Sequence, residues 1–445
     1  MKDLQKNTIL KSVGVLLMLL IMWIVVDGRV KTLLDGNKQT ITIGVFSDSY
    51  WGVQNGYSYQ IIDDAIKIFE DEHPGVKVEY VNGIIKNDYS EWLAEQLLNG
   101  TAPDVFFIMK SDFNDFAQLG GLKDLSGFIK SDTDFSEDDF YKSAFESGKY
   151  MDTQYALPYE CAPRLMFINK TILDQENIPM PDKDWTWEDF YNLCKNVTKD
   201  TNGDGVIDQF GVVGYSWKDA FYENNVNLFN EDGTQCNLVG DNVEEAIRFV
   251  EKLNSLTEGY EVTSKDFNYG KVACMPMLFS EYRAYKSYPL SIKKYSGFEW
   301  EFVEMPAGAQ GDNVSELDTL QVGMNARMNN EGLAWEFMKL LTSDSRIQSE
   351  IFDYSEGVSV IKAVTESDDT RMVLERASND RVNMSTEVLE DVLNNAVVDP
   401  TFRNYDSAME QIDQSMQEIM GGNKNISMEL IVSNRKINQY LEDIK

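Results

Sequence analysis

Between Ile41 and Val81 an apolar run, an amphipathic stretch and a second apolar run follow one another, and this succession leaves the chain few folds to choose from. ITIGVF (Ile41 to Phe46) shows no polar alternation, as expected of a parallel strand covered on both faces. From Tyr59 to Glu72, Ile61, Ile62, Ala65, Ile66, Ile68 and Phe69 fall at helical spacing; His73-Pro74-Gly75 ends the helix and VKVEYV returns as a strand. A β-α-β unit is the result. The pattern continues with a helix through Glu91 to Leu98, the strand VFFIM (Val105 to Met109) and a helix from Ser111 to Leu119 closed by Gly120-Gly121. A second series runs through YALPYE and LMFIN, a helix that Thr186 caps in TWEDF, the strand FGVVGY and a long helix across Val243 to Leu256. KVACMPML, WEFVEMP and LQVGM are further strands, and everything from Glu331 onward is predicted helical. With 445 residues, too many for one ordinary core, two α/β lobes are expected.

The first residues obey different rules. Lys2, Lys6 and Lys11 lead into an uncharged stretch, and the 18 residues from Ile9 to Val26 would span about 27 Å as a helix. Bacterial lipoproteins carry a cysteine just after such a run, whereas the first cysteine here is Cys161. Cleavage after Gly28, giving a secreted protein, is the alternative, but the bulky Val26 and Asp27 make a poor small-x-small site, so an uncleaved membrane anchor is preferred. The chain as a whole is acidic, with 40 Lys plus Arg against 74 Asp plus Glu and a net charge of −34, which repels nucleic acid and anionic lipid. Cys161, Cys194, Cys236 and Cys274 form no C-x-x-C pair, so buried free thiols are expected, with a disulfide as the alternative outside the membrane.

Several segments carry a resemblance. FEDEHPGVKVEY is similar to a first helix, turn and second strand, and APDVFFIMKSDFNDFAQLGGLKDL matches a P-D-V-F and F-A-x-x-G-x-L-x-D-L signature. YALPYECAPRLMFINKTIL, WTWEDFYNLCKNVTKDTNGDGVIDQFGVVG, AWEFMKLLTSDSRIQ and SMELIVSNRKINQYL follow in the same order. Together they resemble the family 1 extracellular solute-binding proteins, the group that contains maltose- and oligosaccharide-binding proteins of ABC importers. The resemblance implies a type II periplasmic-binding fold, two α/β lobes joined by a hinge that the chain crosses more than once, with the ligand in the cleft between them. It implies a monomer that captures a small solute, a carbohydrate, on the outer face of the cytoplasmic membrane and delivers it to permease subunits. Residues 1–39 then form a cytoplasmic tip, anchor and linker; 40–157 with 305–327 form the N-terminal lobe, and 158–304 with 328–445 the C-terminal lobe.

A sugar has apolar C–H faces and hydroxyl edges, so its cleft needs aromatic planes beside hydrogen-bonding rims. Tyr50 and Trp51, in the polar context SDSYWG just after the first strand, are candidate contacts. Met109, Lys110, Ser111 and Asp112 follow VFFIM, in the loop where the family reads its ligand; helix capping is the competing role of Ser111 and Asp112, and Ile108 and Met109 stand where maltose-type relatives carry an aromatic residue. Tyr159, Glu160 and Arg164 lie on the hinge strand, where Glu160 and Arg164 either pair with each other or reach the ligand. Ser216, Trp217 and Tyr222 follow FGVVGY at the family's second aromatic region, and Trp217 is the leading single candidate. Where the family has a G-x-W-like loop this chain has LFSEYRAY, so Glu281, Tyr282 and Arg283 are candidates in its place, with a surface ion pair as the alternative.

Asp200, Asn202, Asp204 and Asp208 occupy positions 1, 3, 5 and 9 of an EF-hand-like loop, with Gly205 at the turn and the Val206 carbonyl as a further ligand. Gly211 replaces the closing Glu, so the loop reads either as an incomplete structural Ca²⁺ site or as a metal-free Asx-turn loop. Catalytic motifs of the serine-hydrolase, zinc-protease and nucleotide-binding types are absent, and the single histidine, His73, sits beside Pro74 in a turn. No enzyme is expected; a carboxylate-dependent glycosidase and a membrane-tethered sensor ectodomain are the readings from other classes.

Overall fold

The computed structural model describes residues 39–51, 59–81, 83–230, 232–287, 297–377, 386–421 and 425–443. The expected anchor at Ile9 to Val26 lies outside these. Among the described residues no helix is long and apolar enough to cross a membrane.

The strands, in chain order, are β1 (Gln39–Gly44), β2 (Val76–Val81), β3 (Val105–Ile108), the hairpin pair β4 (Lys149–Tyr150) and β5 (Thr153–Gln154), β6 (Ala156–Asn169), β7 (Phe210–Val212), β8 (Val272–Leu278), β9 (Trp300–Val303), β10 (Leu317–Met324) and β11 (Val358–Ser359). β1 pairs in parallel with both β2 and β3, which is why ITIGVF lacks polar alternation: Ile41 and Ile43 are fully buried between covering layers. β10 runs antiparallel between β3 and β6.

The organising element is β6, whose fourteen residues serve two lobes in turn. Ala156 to Pro163 pairs with β10; Arg164 to Ile168 pairs with β8, and Met166 to Asn169 with β9. YALPYE and LMFIN are thus one strand where the sequence suggests two. Pro158 and Pro163 suggest the interruption, since proline donates nothing to a ladder. Pro158 is accommodated at the bulge between Leu320 and Gln321, and Pro163 at the end of the pairing, opposite Leu317.

The C-terminal third departs from the expected division. Glu331–Ser343 and Ser345–Tyr354 pack on the helix Gln60–Glu72 of the first lobe, with the Phe337 ring edge-on to Phe69 at 5.1 Å and Trp335 stacked on Phe128 at 5.6 Å. Leu389, Val392, Leu393 and Ala396 join that same core, whereas Tyr405–Met420 and Ile426–Asp443 bury Ile412, Met416, Leu430 and Ile437 with Ile247 and Val250 of the second lobe. The boundary expected at 328 therefore shifts to the crossing near Val397, which bridges to Glu316 on the preceding crossing. The predicted all-helical tail is also interrupted, by β11 against β6. All four cysteines are buried and free.

If Glu331–Ser343 belongs to the first lobe's core, Phe337→Ala should cost about 3–5 kcal/mol in urea unfolding. A loss under about 1 kcal/mol would mean that Phe337 is not a core residue.

Candidate functional site

A cleft of about 760 Å³ opens between the lobes. The first lobe supplies Tyr50 and Trp51 after β1 and the turn from Met109 to Asn114 after β3. β10 supplies the floor, Leu317 to Thr319 and Gln321. The second lobe supplies Lys218, Ser280, Glu281 and one face of the helix Tyr405–Met420.

The loop bearing the aromatic pair is fixed from behind. The Ser49 hydroxyl donates to Glu356 at 2.6 Å, the Trp51 amide donates to Ser49 Oγ at 3.1 Å, and Asp48 holds a left-handed φ of 77°. The two rings meet edge to face at 4.7 Å, and the Tyr50 phenol donates to Asp318 at 3.2 Å. Lys86 donates to the Tyr50 carbonyl and lies over its ring, 4.8 Å from the centroid.

At the base of the cleft four charges from four segments converge. Lys110, after β3, lies 2.8 Å from Glu316 and 2.9 Å from Asp399; Lys218, in the second lobe, lies 2.9 Å and 3.2 Å from the same two carboxylates. Glu316 and Asp399 sit on the two later crossings between lobes, and Tyr222 and Tyr405 also donate to Asp399. Burial works against the Lys110 charge, yet Glu316 and Asp399 hold its ammonium well above the usual lysine range. The two lysines in turn hold Asp399 well below the carboxylate range.

Four further side chains face the cleft with a buried polar atom that has no hydrogen-bond partner among the described residues: Asn114 Oδ1, Ser280 Oγ, Thr319 Oγ1 and Gln321 Oε1. Gln321 spends its amide on Ser147, which leaves only the carbonyl oxygen. Buried polar groups in folded proteins are otherwise nearly always paired.

Of the residues singled out from sequence, Tyr50, Trp51, Met109, Ser111 and Glu281 line this cleft; the Glu281 carboxylate accepts from the Leu278 amide at 2.9 Å. Asp112 is half-buried beside it, one oxygen accepting from Ser111. The others do not reach it. Tyr159 is core, edge-on to Phe107. Glu160 and Arg164 meet neither each other nor the cleft: Glu160 accepts from Ser355, and Arg164 pairs with Asp219 at 2.6 Å. Ser216 caps a helix through Asp219, and Trp217, 7% exposed, packs against Phe221 in the second core. Trp217 and Tyr222 line instead an adjoining cavity of about 630 Å³. Tyr282 is wedged against Trp300, and Arg283 donates to the carbonyls of Phe352 and Gly357, far from any surface ion pair. Lys110 stands in the turn already singled out after VFFIM, but its partners Lys218, Glu316 and Asp399 escape the sequence reading, because nothing local marks residues separated by up to 289 positions as neighbours.

The loop from Asp200 to Asp208 is a nest of Asx turns. Asp200 accepts from the amides of Asn202, Gly203 and Gly205; Asn202 accepts from Asp204, Asp204 from Val206, and Asp208 from Thr201. Among the described residues no group of three or more acidic, His or Cys side chains is placed to hold a metal ion.

Comparison with known proteins gives a consistent outcome. The family described as bacterial extracellular solute-binding protein matches residues 51–345. An uncharacterized lipoprotein of Streptomyces antibioticus is 30% identical over 128 residues, 28% of each chain. The diacetylchitobiose binding protein DasA of Streptomyces coelicolor is 32% identical over 133 residues, 29% of this chain and 28% of DasA. The chain thus aligns with less than a third of either curated relative. The ABC substrate-binding protein Lmo0181 of Listeria monocytogenes, solved with cycloalternan, shares the fold at a TM-score of 0.68 and 20% identity, over 91% of this chain and 99% of that one.

Two outcomes follow from the buried charges. Removing the hub of the four-charge ring in Asp399→Ala leaves both lysines to share Glu316 alone; because the lysine side chains are 37% and 30% exposed, the loss in urea unfolding should be about 1–3 kcal/mol, and a loss near zero would mean the ring is not formed in solution. Glu160 is fully buried, and burial, with Glu356 adding and Ser355, Trp51 and Arg283 opposing, raises its carboxyl to about 7. A raised folded value makes the protonated form the stable one, so stability is fully present below the unfolded value and is lost as pH rises through about 7. Glu160→Gln should match the parent at low pH and exceed it by about 3 kcal/mol above neutrality. Parallel stability curves for the two proteins would contradict the assignment.

Proposed function

This chain belongs to the bacterial extracellular solute-binding proteins, and from that membership and the chemistry of the cleft we propose that it captures a carbohydrate between its lobes and passes it, chemically unchanged, to the permease of an ABC importer. One observation carries the carbohydrate reading. The cleft combines the aromatic pair Tyr50 and Trp51 with the buried, unpartnered polar groups of Asn114, Ser280, Thr319 and Gln321. Sugar rings offer the C–H faces that aromatic planes cover and the hydroxyls that such groups require. The sugar ligands named for DasA and for the Listeria protein support the same class. The stretch Ile9 to Val26 is the proposed tether, holding the lobes at the outer face of the membrane.

A thermal-shift screen of mono- and oligosaccharides, polyols and amino acids should return saccharides, since a ligand at about 100 times its Kd adds about 2.7 kcal/mol. Thr319→Val keeps the side-chain volume and deletes the hydroxyl. It should weaken the best saccharide roughly 5- to 15-fold and leave the ligand-free melting temperature in place. A screen in which only amino acids register would overturn the carbohydrate reading.

A further inference from the structure

The charges around the cleft do not balance, and the imbalance has a direction. Its lysines are already committed: Lys86 to the Tyr50 carbonyl and ring, Lys110 and Lys218 to Glu316 and Asp399. Asp318 takes the Tyr50 phenol and Glu281 the Leu278 amide. That leaves Asp406 and Asp413, seven residues apart and so on one face of the helix Tyr405–Met420, with Met409 between them on the cleft wall. Both are exposed, and neither has an ion-pair partner among the described residues.

The first lobe answers with more acceptors. Asp406 lies within electrostatic reach of Asp115 and Asp112 in the turn and helix after β3, as well as of Asp399. Partial desolvation inside the cleft and these like charges together raise its carboxyl above the usual range, with Lys110 opposing. In the same turn, Asn114 is 8% exposed, lines the cleft and carries a buried carbonyl oxygen with no hydrogen-bond partner among the described residues. Carboxylates from two lobes thus face each other beside amide and carboxylate acceptors.

A neutral sugar leaves that repulsion untouched, because each hydroxyl donates one hydrogen bond and carries no charge. A protonated amine removes it, since an ammonium group presents three donors, no acceptor and a positive charge. We propose that the preferred ligand is an amino sugar with a free, protonated amine, seated where Asp406 and Asp413 of the second lobe and Asn114 of the first line the same cleft. This rests on the carbohydrate reading of the cleft and narrows it.

The test compares saccharides that differ only at C2, carrying an amine, an acetamide or a hydroxyl. Glucosamine, N-acetylglucosamine and glucose and their β-1,4-linked trimers are titrated calorimetrically into the full chain at a pH that keeps the amine protonated. The amine forms should bind roughly tenfold more tightly than the other two, by an advantage that shrinks as salt rises. In Asp406→Asn with Asp413→Asn, two exposed positions where the fold has little at stake, that advantage should vanish. Acetamide or hydroxyl forms binding as tightly as the amines would overturn the proposal and leave the carbohydrate reading standing. An advantage that survives in the double variant would overturn the placement at Asp406 and Asp413. If no saccharide binds, both readings fall.

Discussion

The ring formed by Lys110, Glu316, Lys218 and Asp399 is the interaction on which the two-lobed arrangement turns. Each member comes from a different stretch of chain: the first lobe, the second lobe and two of the crossings between them. Two cations and two anions cancel, so four charges that would be costly to bury singly can be buried together. Glu316 also leads directly into β10, which forms the cleft floor, and bridges to Val397 on the neighbouring crossing. The ring thus ties the geometry of the cleft to the geometry of the hinge, and β6, running unbroken through both lobes, supplies the rigid axis beside it.

Much of the fold was legible because it rests on periodicity. The runs ITIGVF, VKVEYV, VFFIM and KVACMPML all lie in or overlap strands, and Thr186 caps its helix through a reciprocal pair with Asp189. What escaped was long-range. No local pattern tells that Phe337 packs on Phe69 and not in the second lobe, since an amphipathic helix states only that it has an apolar face. The two prolines of β6 misled for a similar reason: beside Pro158 the strand bulges at Tyr159, and the ladder it bulges against, Leu320 and Gln321 of β10, lies more than 150 residues away.

The candidate site was legible in its loops and obscure in its helices. Tyr50 and Trp51 stand after a buried strand in a polar context, and the cleft contains both. Trp217 misled although a usable signal was present. Ser216-Trp217-Lys218-Asp219 repeats the grammar of Thr186-Trp187-Glu188-Asp189, a capping box whose first helical residue is tryptophan. In both boxes the cap turns that tryptophan inward, and each ends 7% exposed. The residue after Trp217 is the one that faces the cleft, as Lys218.

The same ring also limits the shapes a ligand can take. The larger cavity and its smaller neighbour share Lys218, Val398, Asp399, Pro400, Tyr405 and Met409, so the wall between them is built from two members of the ring, a tyrosine bonded to one of them and the apolar residues around them. Asp399 receives two ammonium groups and two phenols, and moving it would break several charge-assisted bonds at a partly buried site. The partition is therefore the stiff part of the site, whereas the rim acids Asp406 and Asp413, exposed and without ion pairs among the described residues, can adjust at little cost. The proposed cationic ligand would accordingly be recognised at the rim, where a positive charge is stabilised without disturbing the groups that hold the lobes together, while the stiff base of the cleft limits the ligand's shape.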